Sequence, residues 1–328
     1  MRTYMGWIVL VAWIAGMAQP ATAGDRNSWE FTEVNIIELD GVSGDIILRP
    51  ADGENGIVEL ESNVSPEKNF RAEVEQKGKT LYIEEKWRGQ SSSGSVEWKI
   101  YLPKQKNELK INISTASGSL DCTDVSASIK FDTASGDVSL SRMGLQEGSD
   151  FDTASGDYNI TNMTIPAGTE FETASGDHDL MYLTIKEDCE FSTASGDIDC
   201  KRCKCENSLK LDTASGDVTI RDCELLGKCS LSSASGDVSV YLDQFTQHDL
   251  SAATASGDVL LDAEDFGEDF TLVMIKREDK GRISCPFEYT REETFESHHT
   301  YERKTVQRGS GEPEIELRTA SGRITVKN

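Results

Sequence analysis

Between residues 111 and 261 the apolar residues recur in columns rather than in helical turns. Eight glycines set the frame: Gly118, Gly136, Gly156, Gly176, Gly196, Gly216, Gly236 and Gly257, spaced by 18, five times 20, and then 21 residues. Five positions before the glycine stand Phe131, Phe151, Phe171, Phe191, Leu211 and Leu231. Four positions after it stand Cys122, Leu140, Ile160, Leu180, Cys200, Ile220, Val240 and Leu261. Seven after are Met143, Met163, Leu183, Cys203 and Cys223, and nine after are Leu145, Ile165, Ile185, Cys205, Leu225 and Phe245. A column that stays apolar faces inward, because a stacked repeat buries only what its neighbours also bury. Within each coil the apolar residues alternate with polar ones, as in Phe131-Asp132-Thr133, which is the period of a strand with one buried face. The alternation slips at Ser-Gly-Asp and again between the fourth and seventh positions, so each coil has corners separating two or three short strands. A helix is excluded by the absence of three-and-four spacing and by a glycine in every repeat, which costs a helix about 1 kcal/mol each. The pattern predicts an all-β fold: a single-stranded parallel β-solenoid with coils of about twenty residues, adjacent coils about 4.8 Å apart.

The flanks keep strand patterns without the tight period. Residues 24–110 contain Val34 to Leu39, Thr80 to Ile83 and Val96 to Pro103, and read as wider coils that begin the same solenoid. Residues 111–261 are the regular repeat. Residues 262–328 hold a charged insertion, with Lys276 to Lys280 and Arg291 to Glu293, before Ile315 to Ile324 restores the coil. Both ends are expected to cap an open sheet edge. The first 23 residues run from Arg2 through an apolar stretch, Trp7 to Ala18, to Ala21-Thr22-Ala23, the order of a cleaved signal peptide, which predicts an exported chain beginning at Gly24.

The strand Val96 to Leu102 ending in Leu-Pro, the segment Leu109 to Ile113, the run of Ser-Gly-Asp coils and the closing Gly309-Ser310-Gly311 before Ile315 together resemble the "putative adhesin" family, DUF4097. The resemblance spans roughly residues 30 to 328. It implies an exported β-strand-repeat solenoid and brings no catalytic residues with it.

Composition narrows the partners. The formal net charge is −25, or −26 once Arg2 leaves with the signal peptide. Such a surface repels nucleic acid and suits a divalent cation or a basic ligand. Asp137, Asp157, Asp177, Asp197, Asp217, Asp237 and Asp258 follow the glycine in successive coils. Charges 4.8 Å apart repel by about 0.9 kcal/mol in water and about 3.5 at an effective dielectric near 20. Hydrogen bonds from turn N–H groups are the favoured offset, and calcium between carboxylates is the lesser candidate. Of the eight cysteines, Cys122, Cys200, Cys203, Cys205 and Cys223 occupy apolar columns. Cys203 and Cys223, one coil apart, are the disulfide candidates; the alternatives are buried thiols and a zinc cluster drawn from Cys200, Cys203 and Cys205 with Cys189, Cys223 and Cys229 of the flanking coils. His178 shares a column with Val138, Tyr158 and Ile198, and His298-His299 lies in the insertion without ligand spacing. No catalytic residue and no cofactor emerge. The resulting expectation is a non-enzymatic protein of the periplasm or cell surface that binds an envelope or extracellular ligand, a glycan or a protein. A structural scaffold and a polysaccharide-acting enzyme are the rivals.

Overall fold

The computed structural model describes residues 11–13, 19–22, 27–89, 92–103 and 108–328; for the first two segments it describes the backbone alone. The expected signal peptide, residues 1–23, otherwise lies outside the described residues. The fold is all-β, with a single 3-10 turn at Glu67–Asn69 and no α-helix among the described residues. Two compact units divide it, Met1–Gln146 and Glu147–Asn328.

In the second unit the coils from Tyr158 to Ser233 have three strands each and the later coils two, and the corners do the turning. Ile198–Lys201, Lys204–Cys205 and Leu209–Thr213 form one such coil. Each strand pairs in parallel with its equivalent one coil on, so Ile198 lies beside Val218, then Val238, Val259 and Ile324. Phe151, Phe171 and Phe191 are fully buried and stack face to face, with ring centroids 5.0 and 4.9 Å apart and planes within 9°. Leu211 and Leu231 continue that column. The second corner is formed by residues with left-handed backbone that are not glycine: Asn162, Tyr182, Arg202 and Asp222, with φ between 52° and 56°. Each costs on the order of 1 kcal/mol. A backbone bond to the next coil holds the corner in place, as from the Arg202 N–H to the Arg221 carbonyl at 2.9 Å.

Parallel stacking does not extend to the ends. In the second unit the last coil in sequence, Glu314–Thr319 and Ile324–Lys327, is not the outermost. It sits between the coil of Leu250–Thr254 and Val259–Ala263 and that of Phe270–Arg277 and Ile283–Ser284. The hairpin Arg291–Ser297 and His299–Arg308 then covers Phe270–Arg277 in antiparallel register. The first unit is built the same way. Ile36–Asp40 and Gly44–Pro50 stack between Lys110–Thr115 with Leu120–Thr123 on one side and Thr80–Trp87 with Val96–Leu102 on the other. Gly56–Ser62 and Phe70–Lys77 return antiparallel along the far edge. The expectation of a purely parallel solenoid is therefore corrected to a mixed one. A terminal coil leaves a row of unpaired N–H and C=O groups, and a strand folding straight back through a short connection satisfies them only in antiparallel sense.

One buried carboxylate organises the first unit. Glu85 accepts from the indole N–H groups of Trp98 and Trp87, each at 2.9 Å, and from the backbone N–H of Val42 and Ser43 at 2.9 and 3.2 Å. Four donors offset the cost of burying the charge and tie three segments together.

Replacing Phe171 by Ala removes the middle ring of the stack and leaves a cavity that flanking rings cannot fill. The expected loss is about 3–5 kcal/mol in urea unfolding, against less than 1 kcal/mol if the column were loosely packed.

Candidate functional site

In the repeated Thr-Ala-Ser-Gly-Asp corner, the threonine, the glycine and the aspartate each make a specific contact with the neighbouring coil. The Thr213 hydroxyl accepts from the Gly216 N–H of its own coil at 3.1 Å and donates to the Gly196 carbonyl of the preceding coil at 2.9 Å. Thr173, Thr193, Ser233, Thr254 and Thr319 repeat this relay, with donor distances of 2.8 to 3.2 Å to the preceding glycine carbonyl. That close approach is why the next residue type is glycine: a Cβ at Gly216 would stand 1.9 Å from the Gly196 carbonyl oxygen. The aspartate completes the corner. Asp157 Oδ1 accepts from the Asp177 N–H at 2.9 Å, and Asp177, Asp197, Asp217 and Asp237 each accept from the next aspartate's N–H at 2.7 to 2.8 Å. Asp258 in turn accepts from the Arg323 N–H at 2.7 Å. In the first unit Asp45 accepts from the Ser119 N–H, and the Ser119 hydroxyl from the Asp137 N–H at 3.2 Å. Each donor is a partial positive charge placed between two carboxylates, which offsets their repulsion without an ion.

A second acidic surface lies on the outer face of the strands leading into this corner. Register places Asp150, Glu170 and Glu190 in one row and Asp152 beside Glu172 in the next. Lys210 closes the first row, bonded to Glu190 at 2.6 Å and to Asp212 at 2.5 Å. Glu172's carboxyl is held above the usual range, first by partial burial and then by the charges of Asp152, Glu170, Glu190 and Asp150. A shallow groove of about 320 Å³ beside Glu170, Glu172, Asp188 and Glu190 gives this face relief. The columns of the sequence already align Asp152 with Glu172, and the register adds the row of Asp150, Glu170 and Glu190 beside them.

The eight cysteines are free thiols, seven of them buried. Cys203 and Cys223 are neighbours in adjacent coils as the columns require, and the Cys203 N–H reaches the Cys223 sulfur at 3.3 Å. Cys200 joins them, its sulfur 3.9 Å from that of Cys223. Burial pushes the thiols of Cys189, Cys205, Cys229 and Cys122 up, that of Cys189 to about 12. His178 is buried between Tyr158 and Ile198, its ring 4.8 Å from that of Tyr158, and neither ring nitrogen has a hydrogen-bond partner. Burial lowers its pKa to about 4. His298 and His299 are exposed at the tip of the antiparallel hairpin. The unrepeated insertion also forms a groove of about 950 Å³, where Gln307 and Ser310 to Glu314 face Lys228, His248 and Asp249.

A family model, Toastrack DUF4097, matches residues 34–249 and again 187–327. The chain belongs to the Toastrack DUF4097 family. No curated protein matches this Toastrack chain. Among solved structures it is similar to a "Putative lipid binding protein" from Parabacteroides distasonis, 15% identical, covering 97% of this chain and 100% of that one with a TM-score of 0.34. It is also similar to a "putative cell adhesion protein" from Clostridium sporogenes, 11% identical over 92% and 99% with a TM-score of 0.20. A "putative adhesin" from Parabacteroides merdae is 10% identical over 77% and 96%, with a TM-score of 0.26.

Two outcomes follow for this Toastrack chain. With a backbone donor on the carboxylates of Asp157, Asp177, Asp197, Asp217, Asp237 and Asp258, excess chelator and millimolar calcium should each move the melting temperature by only a degree or two. Asp197→Asn, which keeps the acceptor and removes a charge, should be neutral or stabilising by up to about 1 kcal/mol; a large calcium-dependent gain in melting temperature contradicts this. His178 provides the pH test. Its folded pKa of about 4 lies below the ordinary 6.5, so the unfolded chain takes up the proton first. Stability from the neutral ring is complete above pH 6.5 and is lost as pH falls towards 4, by about 3 kcal/mol in all. The unfolding free energy of His178→Val minus that of the parent should therefore grow as pH falls from 7 to 4, and a constant difference contradicts the assignment.

Proposed function

We propose that this Toastrack chain is an exported, non-enzymatic binding protein of the cell envelope, and that its acidic outer face engages a cationic partner. The observation that carries the proposal is the register that sets Asp150, Glu170 and Glu190 in one outer row and Asp152 beside Glu172 in the next. A face whose own charges oppose ionisation gains most from a partner that supplies positive charge. The stacked coils hold the backbone beneath the carboxylates at fixed spacing, so no backbone ordering is left to oppose binding. Export rests on the signal-like first 23 residues, and none of the described helices is long and apolar enough to cross a membrane. The absence of a catalytic constellation from the repeated columns supports a binding role over chemistry.

An array of envelope glycans and peptides, supplemented with an oligo-lysine peptide as the defined cationic probe, tests this. Binding should favour amine-bearing or basic ligands, weaken about tenfold or more between 50 and 500 mM salt, and be lost in the triple variant Asp152→Asn, Glu170→Gln, Glu172→Gln. Salt-insensitive binding that survives the triple variant overturns the assignment of the face. No binding to any array member or to the oligo-lysine favours the scaffold reading.

A further inference from the structure

The sulfur atoms of Cys200, Cys203 and Cys223 all lie within 4.8 Å of one another, in a buried pocket at the second corner of two adjacent coils. Cys200 comes from the column four after the glycine in one coil, Cys223 from the column seven after it in the next, and the turn between those columns brings them together. Among the described residues no further His, Cys, Asp or Glu joins the trio. The geometry points to a site for one cuprous ion, held in trigonal coordination by the thiolates of Cys200, Cys203 and Cys223. This inference is independent of the proposed binding face.

The spacing of the sulfurs supports the assignment. Sulfurs about 2.3 Å from a central ion in a plane stand about 4.0 Å apart, and Cys200 and Cys223 are already at 3.9 Å. The Cys203 sulfur lies within 4.8 Å of both, so an adjustment of under about an ångström closes the triangle. Soft thiolates select Cu(I), Zn(II) or iron–sulfur clusters. Zinc takes a fourth ligand, and three residues in a closed interior supply neither that ligand nor an opening for water. Binding is a ligand exchange with no redox step: one Cu(I) enters, three S–Cu bonds form, and up to three thiol protons leave to solvent.

The test uses the reduced full chain under anaerobic conditions, titrated with Cu(I) against a chromophoric cuprous chelator, with X-ray absorption at the copper edge. The expected result is one Cu(I) per chain bound by three sulfurs at about 2.2–2.3 Å. Cys203→Ser and Cys223→Ser should each weaken it about 100-fold or more, whereas Cys285→Ser should leave it unchanged. The absorption measurement on the parent needs no variant, so a variant that fails to fold does not blunt the test. The inference is overturned by substoichiometric Cu(I), by fewer than three sulfur neighbours, by a four-coordinate preference for Zn(II), or by peptide mapping that finds a disulfide within the trio after mild reduction.

Discussion

A single hydroxyl between two glycines governs how the coils of this protein can stack. The Thr213 oxygen is at once the acceptor for its own coil's Gly216 N–H and the donor to the Gly196 carbonyl beneath, and both backbone groups are buried. Two ordinary hydrogen bonds contribute only about 1 kcal/mol each net, but leaving either partner unpaired in the interior costs about 1–3 kcal/mol. The relay therefore acts chiefly against misregister: a slip of one residue in any coil would orphan two buried groups and turn the apolar columns outward. Glycine follows because the accepted carbonyl occupies the place of its Cβ. Aspartate follows because the next N–H along is exposed and points at the coil below.

With register held at this corner, identical side chains fall on one another, and the phenylalanine stack, the acidic rows and the sulfur cluster all result from that superposition. The same rule creates a problem at the ends, where no further coil exists. Each unit solves it by placing its outermost coil out of sequence order and folding strands back along the open edge. The charged residues of the insertion stabilise this covering. Lys276, buried in the cap, pairs with Glu302 at 2.7 Å, and Lys304 bonds Glu302 and Glu292 at 3.1 and 3.0 Å across the hairpin.

What could be read from residues alone follows the same division. The columns of Phe151, Ile198 or Val218 were legible because each is a one-dimensional pattern at fixed period, and stacking maps period directly onto space. The antiparallel caps were not, since Arg291–Ser297 and Gly56–Ser62 alternate like any strand and their partners' direction depends on connections, not composition. The left-handed corner was hidden because Asn162, Tyr182, Arg202 and Asp222 share a backbone conformation but no side-chain chemistry. Cys203 and Cys223 could be paired from their shared column, and Cys200 could be named as a cluster candidate from its spacing, but which of the six cysteines meet depends on that corner, which brings together Cys200, Cys203 and Cys223. The acidic ladder was visible as seven aspartates. Its bonding was not, because the donors are backbone groups one coil away.

The relay is tested most directly by comparing Thr213→Val with Thr213→Ser in equilibrium urea unfolding. Valine keeps the shape and removes the hydroxyl, so it should cost about 2–4 kcal/mol by orphaning the Gly216 N–H and the Gly196 carbonyl. Serine keeps the hydroxyl, as Ser233 does naturally in the next coil, and should cost less than about 1 kcal/mol. Equal stability of the two variants would contradict the account, because packing of the side chain rather than its hydroxyl would then be what holds the coils in register.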